Sequence, residues 1–281
     1  MNFEEMKWKH ENLLYPIVRV FSIKGAGSGT IIYSKPDPEN EKEFLTFVLT
    51  NHHVIEANIT YKKDWDSLLK KKIEKEFREQ AKVEVFSYVR DSEVDSSNRH
   101  NAEIVAYDQY HDLALLKLDS PKRFDYVSPI ISKEKIKNLK LFTSIAIAGC
   151  SMAHEPFCNF GEITFLKEII EQKKYIMVNA GMYFGNSGGA VFLADSGELI
   201  GVPSRLTGIQ LGFGMDMVLF MGFAAHPERF YEFFDEQEVQ FIYDSSQTYN
   251  EALKKRKKKE KDSRFMLKAK EMEEEKNEDT E

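Results

Sequence analysis

Short runs rich in β-branched and aromatic residues recur along this chain, each bounded by charged or turn-forming residues. In the first half they are Ile17 to Ile23, Gly29 to Tyr33, Phe44 to Thr50, Val83 to Val89, Glu103 to Tyr107 and Leu113 to Leu118; in the second, Phe142 to Ala148, Gly161 to Leu166, Tyr175 to Asn179, Ala190 to Leu193 and Leu199 to Val202. Runs of this length predict strands. Their close succession, without strand-helix alternation, predicts antiparallel barrels rather than a parallel sheet. Two stretches depart from the pattern. Between Asp64 and Ala81, the residues Trp65, Leu69, Ile73, Phe77 and Ala81 recur every fourth position among lysines and glutamates. That spacing predicts an amphipathic helix over 64–81 packed on the barrel surface, with Asp64 as N-cap and Asp66 in the first turn. Pro227 to Phe234 predicts a second helix, with proline in its first turn and Phe230, Tyr231, Phe233 and Phe234 turned to a core.

After about Ser246 the apolar density falls, and residues 246–281 read as an exposed helix or a disordered tail. Six consecutive basic residues, Lys254 to Lys259, precede an acidic cluster at Glu271 and Glu273 to Glu275. The 281 residues, 42% of them hydrophobic, suffice for one large domain or two small packed barrels. A formal net charge of -7 opposes a general nucleic-acid coat. It leaves the run 254–259 as the one local handle suited to nucleic acid or an acidic protein. The only cysteines are Cys150 and Cys158, too few for a disulfide scaffold. With His154 between them they make three soft ligands in nine residues, short of a metal site, so free thiols and no metal or cofactor are expected. Met1 to Leu14 is charged throughout, without the apolar stretch of a signal peptide, and no run approaches the length of a membrane span. The expected location is the cytoplasm, without membrane contact.

The strongest chemical signal is Gly185-Asn186-Ser187-Gly188-Gly189, between two strand-like runs. A glycine turn around a serine lets backbone amides converge on one point, which makes an oxyanion hole, and leaves room for a substrate carbonyl. The backbone of Gly185, Asn186 and Ser187 is the candidate hole, with the amides of Gly185 and Ser187 as donors. A serine hydroxyl is a weak nucleophile at neutral pH and demands a histidine base held by a carboxylate. Thr50-Asn51-His52-His53-Val54 brings histidine to the end of an apolar strand. Asp112-Leu113-Ala114-Leu115-Leu116-Lys117-Leu118 puts a carboxylate just before another.

In the order His, Asp, Ser, these segments resemble the trypsin-like serine peptidases, and among them the bacterial HtrA-like branch, from about Tyr15 to Phe234. The family's T-N-x-H-V form selects His53 over His52, its D-L-A-x-L-K form selects Asp112, and G-N-S-G-G selects Ser187. Gly27-Ser28-Gly29-Thr30 resembles its G-S-G-x-[IV] segment. The resemblance implies an all-β fold of two packed six-stranded antiparallel barrels, about 15–120 and 140–225, closed by a helix over 227–236 within a peptidase domain at 1–245. It implies a serine endopeptidase that cleaves polypeptides through an acyl-enzyme, with His53 as base, Asp112 orienting it and Ser187 attacking. Ser204 falls where the fold often keeps a serine near the triad aspartate. His52 and His111 are expected at the surface. No PDZ-type domain is expected after the barrels, and no propeptide switch is expected, since the Ile-Val-Gly-Gly start of zymogens activated by cleavage is not found.

The substrate pocket is expected among Gly181, Tyr183, Phe184, Ser204, Arg205 and Phe223. Trypsin carries an aspartate six residues before its nucleophile; that position here is Gly181, so no preference for Lys or Arg is implied. Met182, Tyr183, Phe184 and Phe223 point instead to an apolar residue before the scissile bond, while Arg205 could favour acidic groups. The alternative from a different class is a catalytically idle barrel that serves as a protein- or nucleic-acid-binding scaffold through 64–81 and the basic run.

Overall fold

The computed structural model describes residues 2–67, 69–211, 214–259 and 261–262. In chain order its strands are β1 (Ile17–Phe21), β2 (Ala26–Asp37), β3 (Asn40–Thr50), β4 (Ile59–Asp66), β5 (Lys71–Arg78), β6 (Ala81–Val89), β7 (Glu93–Asp108), β8 (Leu113–Leu118), β9 (Ser144–Gly149), β10 (Phe157–Ile170), β11 (Lys173–Val178), β12 (Ala190–Leu193), β13 (Leu199–Leu211) and β14 (Gly214–Ala225). The helices are α1 (Phe3–Lys9), α2 (His52–Ile55), α3 (Lys133–Ile136) and α4 (Glu228–Glu236). Two closed six-stranded barrels result, β1-β2-β3-β8-β7-β6 and β10-β11-β14-β13-β12-β9, antiparallel at every pairing. Closure leaves no sheet edge within either barrel.

Alternation along each strand builds two kinds of core. One set of side chains fills the barrel interiors: Val18, Val20, Ile31, Val48, Val83 and Leu116 in the first, Ile145, Ile147, Ile163, Ile176 and Val191 in the second. The intervening set faces the other barrel, where Phe47, Leu49 and Leu115 meet Ala146, Ala148, Ala190 and Phe192. Alanines at that seam let the two sheets approach closely. Helix α4 follows Pro227, whose φ of -62° suits helix entry, and buries Phe230, Phe233 and Phe234 in the same seam.

Residues 64–81 are not a helix. They form most of an antiparallel hairpin, β4 against β5, with Trp65 opposite Lys72 and Asp64 opposite Ile73, and Ala81 already opens β6. A spacing of four is also a multiple of two, so the apolar positions share one face of a strand as readily as one face of a helix. The hairpin lies outside both barrels with Trp65 and Phe77 exposed, so no core selects the helical option. Asp66 does not sit in a helical first turn; its carboxylate accepts from the Leu69 amide at 3.0 Å and closes the hairpin turn. Across the strands Lys75 Nζ donates to Asp64 Oδ2 at 2.8 Å.

Strand β14 has no counterpart among the sequence-predicted strands. Its run Met215 to Met221 carries no clean apolar-polar alternation, and its pairing with β13 is interrupted by bulges. The core also continues past residue 246. Residues 249–259 are helical, and Tyr249 and Ala252 are buried against the seam, Tyr249 at 5.1 Å from the Phe47 ring and 5.5 Å from that of Phe241. The basic run 254–259 therefore follows directly on a packed segment; the acidic cluster at 271–275 lies outside the described residues. Among the described residues no helix is long and apolar enough to cross a membrane. Tyr249→Ala is expected to destabilise the protein by about 3 kcal/mol in urea unfolding, since it empties an aromatic cluster; a change within experimental error would mean that the segment after 246 contributes nothing to the folded core.

Candidate active site

His53, Asp112 and Ser187 come together on the seam between the barrels. The backbone leaves β3 at Thr50 and turns into the single helical turn α2, so His53 sits in that turn rather than at the strand end. Asp112 occupies the loop before β8 with φ +52°, a left-handed conformation that aspartate tolerates better than most residues. His53 Nδ1 lies 3.0 and 2.9 Å from the Asp112 carboxylate oxygens, and the His53 amide donates to Oδ1 at 3.0 Å. The neighbouring motif residue Asn51 donates its side-chain amide to the Asp112 carbonyl at 2.8 Å, holding the strained loop against β3.

Ser204 reaches the same carboxylate from the second barrel, donating its hydroxyl to Oδ2 at 2.6 Å. The register between β13 and β14 slips between Pro203 and Arg205, and Ser204 is the residue left over. Such a bulge re-aims a side chain away from the sheet. Burial pushes the Asp112 carboxyl up, but hydrogen bonding and charge from His53, the Ser204 hydroxyl and the His53 amide outweigh it and hold the group below its usual range. Asp112 is therefore a carboxylate with its acceptors filled and its orientation fixed.

The turn 183–189 has a more consequential geometry. Asn186 N–H donates to Tyr183 O at 3.1 Å, closing a β-turn with Gly185 at φ +97°, where a Cβ would strike Cys150 O at 2.9 Å. Gly188, at φ +83°, leaves no room for a side chain either: a Cβ there would fall 2.2 Å from Ser28 O and from Thr50 Oγ1. Every carbonyl from 184 to 187 accepts a hydrogen bond. Phe184 O takes the Met152 amide at 2.8 Å, Gly185 O the Ser28 hydroxyl at 2.6 Å, Asn186 O the Gly189 amide at 2.9 Å, and Ser187 O the Ser28 amide at 2.8 Å. In a planar trans peptide the N–H points opposite to the C=O. The amides of Gly185 and Ser187 thus point away from Met152 and Gly189, the donors on their own peptide carbonyls, and among the described residues nothing accepts from them. Asn186, included in the candidate hole from sequence, does not serve it with its own amide, which is spent on Tyr183.

Ser187 and His53 line a cleft of about 700 Å³ with Ser22, Lys24, Glu56 and Ile59, a surface that no sequence motif announced. A second, smaller depression of about 330 Å³ brings together His52, His53, Asp112, Ser204 and Arg205. Of the expected pocket residues, Gly181 is buried, with its carbonyl held by Asn159 Nδ2 at 3.0 Å and the Tyr183 hydroxyl folded back over it. Met182 lies against Gly222, which is paired with Leu206 across β13 and β14. Phe223 is buried edge-on to Tyr175, and Phe184 projects 66% exposed at the rim. Arg205 turns aside: it binds Glu171 and covers the Tyr175 ring at 5.6 Å.

The two histidines expected at the surface are buried. His52 stacks on Tyr107 at 5.1 Å, and burial lowers its pKa. His111 is covered by α4, whose Arg229 donates to the His111 carbonyl and stacks on Tyr175 at 4.7 Å. Sequence reasoning missed Ser28, Asn51 and Met152. The first two stand inside quoted motifs, Gly27-Ser28-Gly29 and Thr50-Asn51-His52-His53, and that position was their only signal. Cys150 and Cys158 are free, and burial pushes both thiols up to about 12.

A family model described as trypsin-like peptidase domain matches residues 27–202. No curated protein is similar in sequence to the chain. Among solved structures, the crystal structure of the serine endoprotease from Yersinia pestis aligns with a TM-score of 0.53 and 20% identity over 84% of this chain. The match spans 66% of that protein's length, and the likeness is one of fold. A family match across more than half of the sequence, on a frame of two closed barrels with Ser187, His53 and Asp112 at their seam, makes this chain a member of the trypsin-like peptidase domain family.

Proposed function

We propose that this protein is a serine endopeptidase working through an acyl-enzyme, with His53, Asp112 and Ser187 as its catalytic triad. The observation that carries the reading is the turn 184–187. Its four carbonyls are all engaged, and among the described residues nothing accepts from the amides of Gly185 and Ser187, beside a histidine whose far nitrogen is held by a carboxylate. Donors fixed in advance where negative charge develops are the largest single contribution to acyl-transfer catalysis. His53 Nε2 takes the proton of Ser187 Oγ as the hydroxyl attacks the scissile carbonyl. Nδ1–H stays on Asp112, which keeps the ring in the right tautomer and stabilises the imidazolium. The oxyanion accepts from Gly185 and Ser187 N–H, and the imidazolium hands its proton to the leaving amine. A water repeats the sequence in reverse to release the acid.

The cleft over Lys24, Glu56 and Ile59 receives the chain beyond the scissile bond. The residue before that bond lies against the apolar wall made by Gly181, Met182, Tyr183, Gly222 and Phe223, with Phe184 at its edge. This lining carries no charge, because Arg205 is neutralised by Glu171 and turned away. The substrate is therefore a polypeptide with an apolar residue at that position, and Arg205 does not select acidic groups.

Ser187→Ala should lower turnover of a casein-type substrate by about 10⁶-fold and abolish labelling by a fluorophosphonate probe; an unlabelled wild-type protein, or a variant that cleaves as well as the parent, would sink the mechanism. Cleavage-site profiling should return apolar residues before the cut, and a majority of Lys or Arg there would refute the pocket reading. Asp112→Asn should lower turnover by about 10⁴-fold. Because the folded-state pKa of Asp112 lies below its usual value, its contribution to stability is full above that value and is lost as pH falls through the lowered one. The stability gap between wild type and Asp112→Asn should accordingly be present at neutral pH and shrink as the pH falls below 3.8; a gap independent of pH in denaturant titrations would contradict the assignment.

A further inference from the structure

We propose that Arg19, on the first barrel, is a positioning residue for the oxyanion hole carried by the second. The inference rests on the peptidase reading above and extends it to a group that touches neither substrate nor triad.

The Gly185 amide is free only because Phe184 O is turned the other way, onto Met152 N–H. If that peptide rotated, its carbonyl would occupy the place meant for the oxyanion and one of two donors would be lost. The partner that prevents this sits in a single turn closed by one backbone hydrogen bond, His154 N–H to Ser151 O at 2.9 Å, on strained backbone. Met152 (φ 52°, ψ 31°) and Ala153 (φ 63°) are successive left-handed residues, neither of them glycine, asparagine or aspartate. L-residues disfavour that region, so the segment holds its shape only where its surroundings impose it. Met152 is 67% exposed, and its side chain anchors nothing.

What imposes the shape is Arg19. From β1 it crosses the seam and donates Nη2 to Ala153 O at 2.9 Å and to His154 O at 2.6 Å. Its other arm, Nη1, donates to Glu84 Oε2 at 2.9 Å, and the guanidinium lies 5.4 Å from the Phe86 ring centre and 5.9 Å from that of Phe21. Glu84 is 7% exposed and is further held by Ser97 Oγ at 3.1 Å and Arg99 Nε at 3.1 Å. The carboxylate fixes the guanidinium and the guanidinium fixes two consecutive carbonyls of the strained segment. That segment presents Met152 N–H to Phe184 O. A planar fork reaches these three acceptors from two separate nitrogens, whereas an ammonium has its three donors on one nitrogen and lacks that spread. Arg99 shares the same carboxylate, and among the described residues it makes no hydrogen bond or ion pair to 151–154, so it serves as a control for the charge on Glu84.

The test compares Arg19→Met, Arg19→Lys and Arg99→Met in the full chain, each with and without Met152→Gly. Glycine adopts the left-handed conformation freely and keeps the amide, so it should hold the segment in shape without the clamp. Arg19→Met and Arg19→Lys should lower kcat by about 10- to 100-fold with KM nearly unchanged, Arg99→Met should stay within about twofold, and Met152→Gly should restore a large part of the loss in both Arg19 variants. Hydrogen exchange should quicken at 150–154 and 183–187 in the Arg19 variants and not in Arg99→Met. Arg19→Lys keeps the charge beside Glu84, which guards against a variant that merely fails to fold. A loss equal in Arg99→Met, a loss untouched by Met152→Gly, or wild-type kcat and exchange in Arg19→Met would overturn the proposal. A wild-type protein that neither cleaves nor labels would overturn the peptidase reading instead, and the exchange data would still decide whether Arg19 holds the segment.

Discussion

The planarity of four successive peptides, 184–185 to 187–188, is the constraint on which the rest of this site depends. Each presents its carbonyl to a donor, which fixes the opposite direction of the amide in the same peptide, and among the described residues the amides of Gly185 and Ser187 meet no acceptor. The donors come from three separate places in the chain: Ser28 on β2, Met152 after β9, and Gly189 within the turn itself. Ser28 supplies two of the four contacts while its hydroxyl accepts the Cys150 amide at 2.7 Å and its carbonyl accepts Thr50 Oγ1 at 2.7 Å. One fully buried serine thus ties the turn 183–189 to the segments that lead to His53 and to the strained loop at 151–153.

The carboxylate of Asp112 is organised in the same manner, by contacts from both barrels. Its backbone is held by Asn51 from the first barrel, its Oδ2 by Ser204 from the second, and the loop before it by Arg229 of α4. Arg229 is 2% exposed and spends its charge on two carbonyl oxygens and the face of Tyr175 rather than on a carboxylate. An unpaired buried guanidinium is costly, and hydrogen bonds plus an aromatic face reduce that cost. Helix α4 therefore closes the seam and also positions the loop that orients His53.

The two barrels are legible in the sequence because a strand with one face on a barrel interior and the other on a neighbouring barrel needs apolar residues at nearly every position. Such runs are unmistakable at Leu113 to Leu118 or Ile145 to Ala148. The hairpin β4-β5 was misread for a related reason: it has no core to pack against, so its apolar residues carry no periodicity that separates a strand from a helix. Strand β14 escaped because bulges break its alternation, and the segment around Tyr249 because two apolar residues per turn disappear among lysines in a composition count.

The order and spacing of Thr50-Asn51-His52-His53, Asp112-Leu113-Ala114 and Gly185-Asn186-Ser187-Gly188-Gly189 determined by themselves which side chains to bring together, since local motifs encode the turns that present them. Only the tertiary structure decided how those side chains are held. The burial of His52 and His111, the turning of Arg205 onto Glu171, and the bridging by Ser28 and Arg19 all depend on contacts between residues dozens of positions apart. Hydrogen bonds of that kind form when closed barrels fix the distance between donor and acceptor, and no pattern along the chain records that distance.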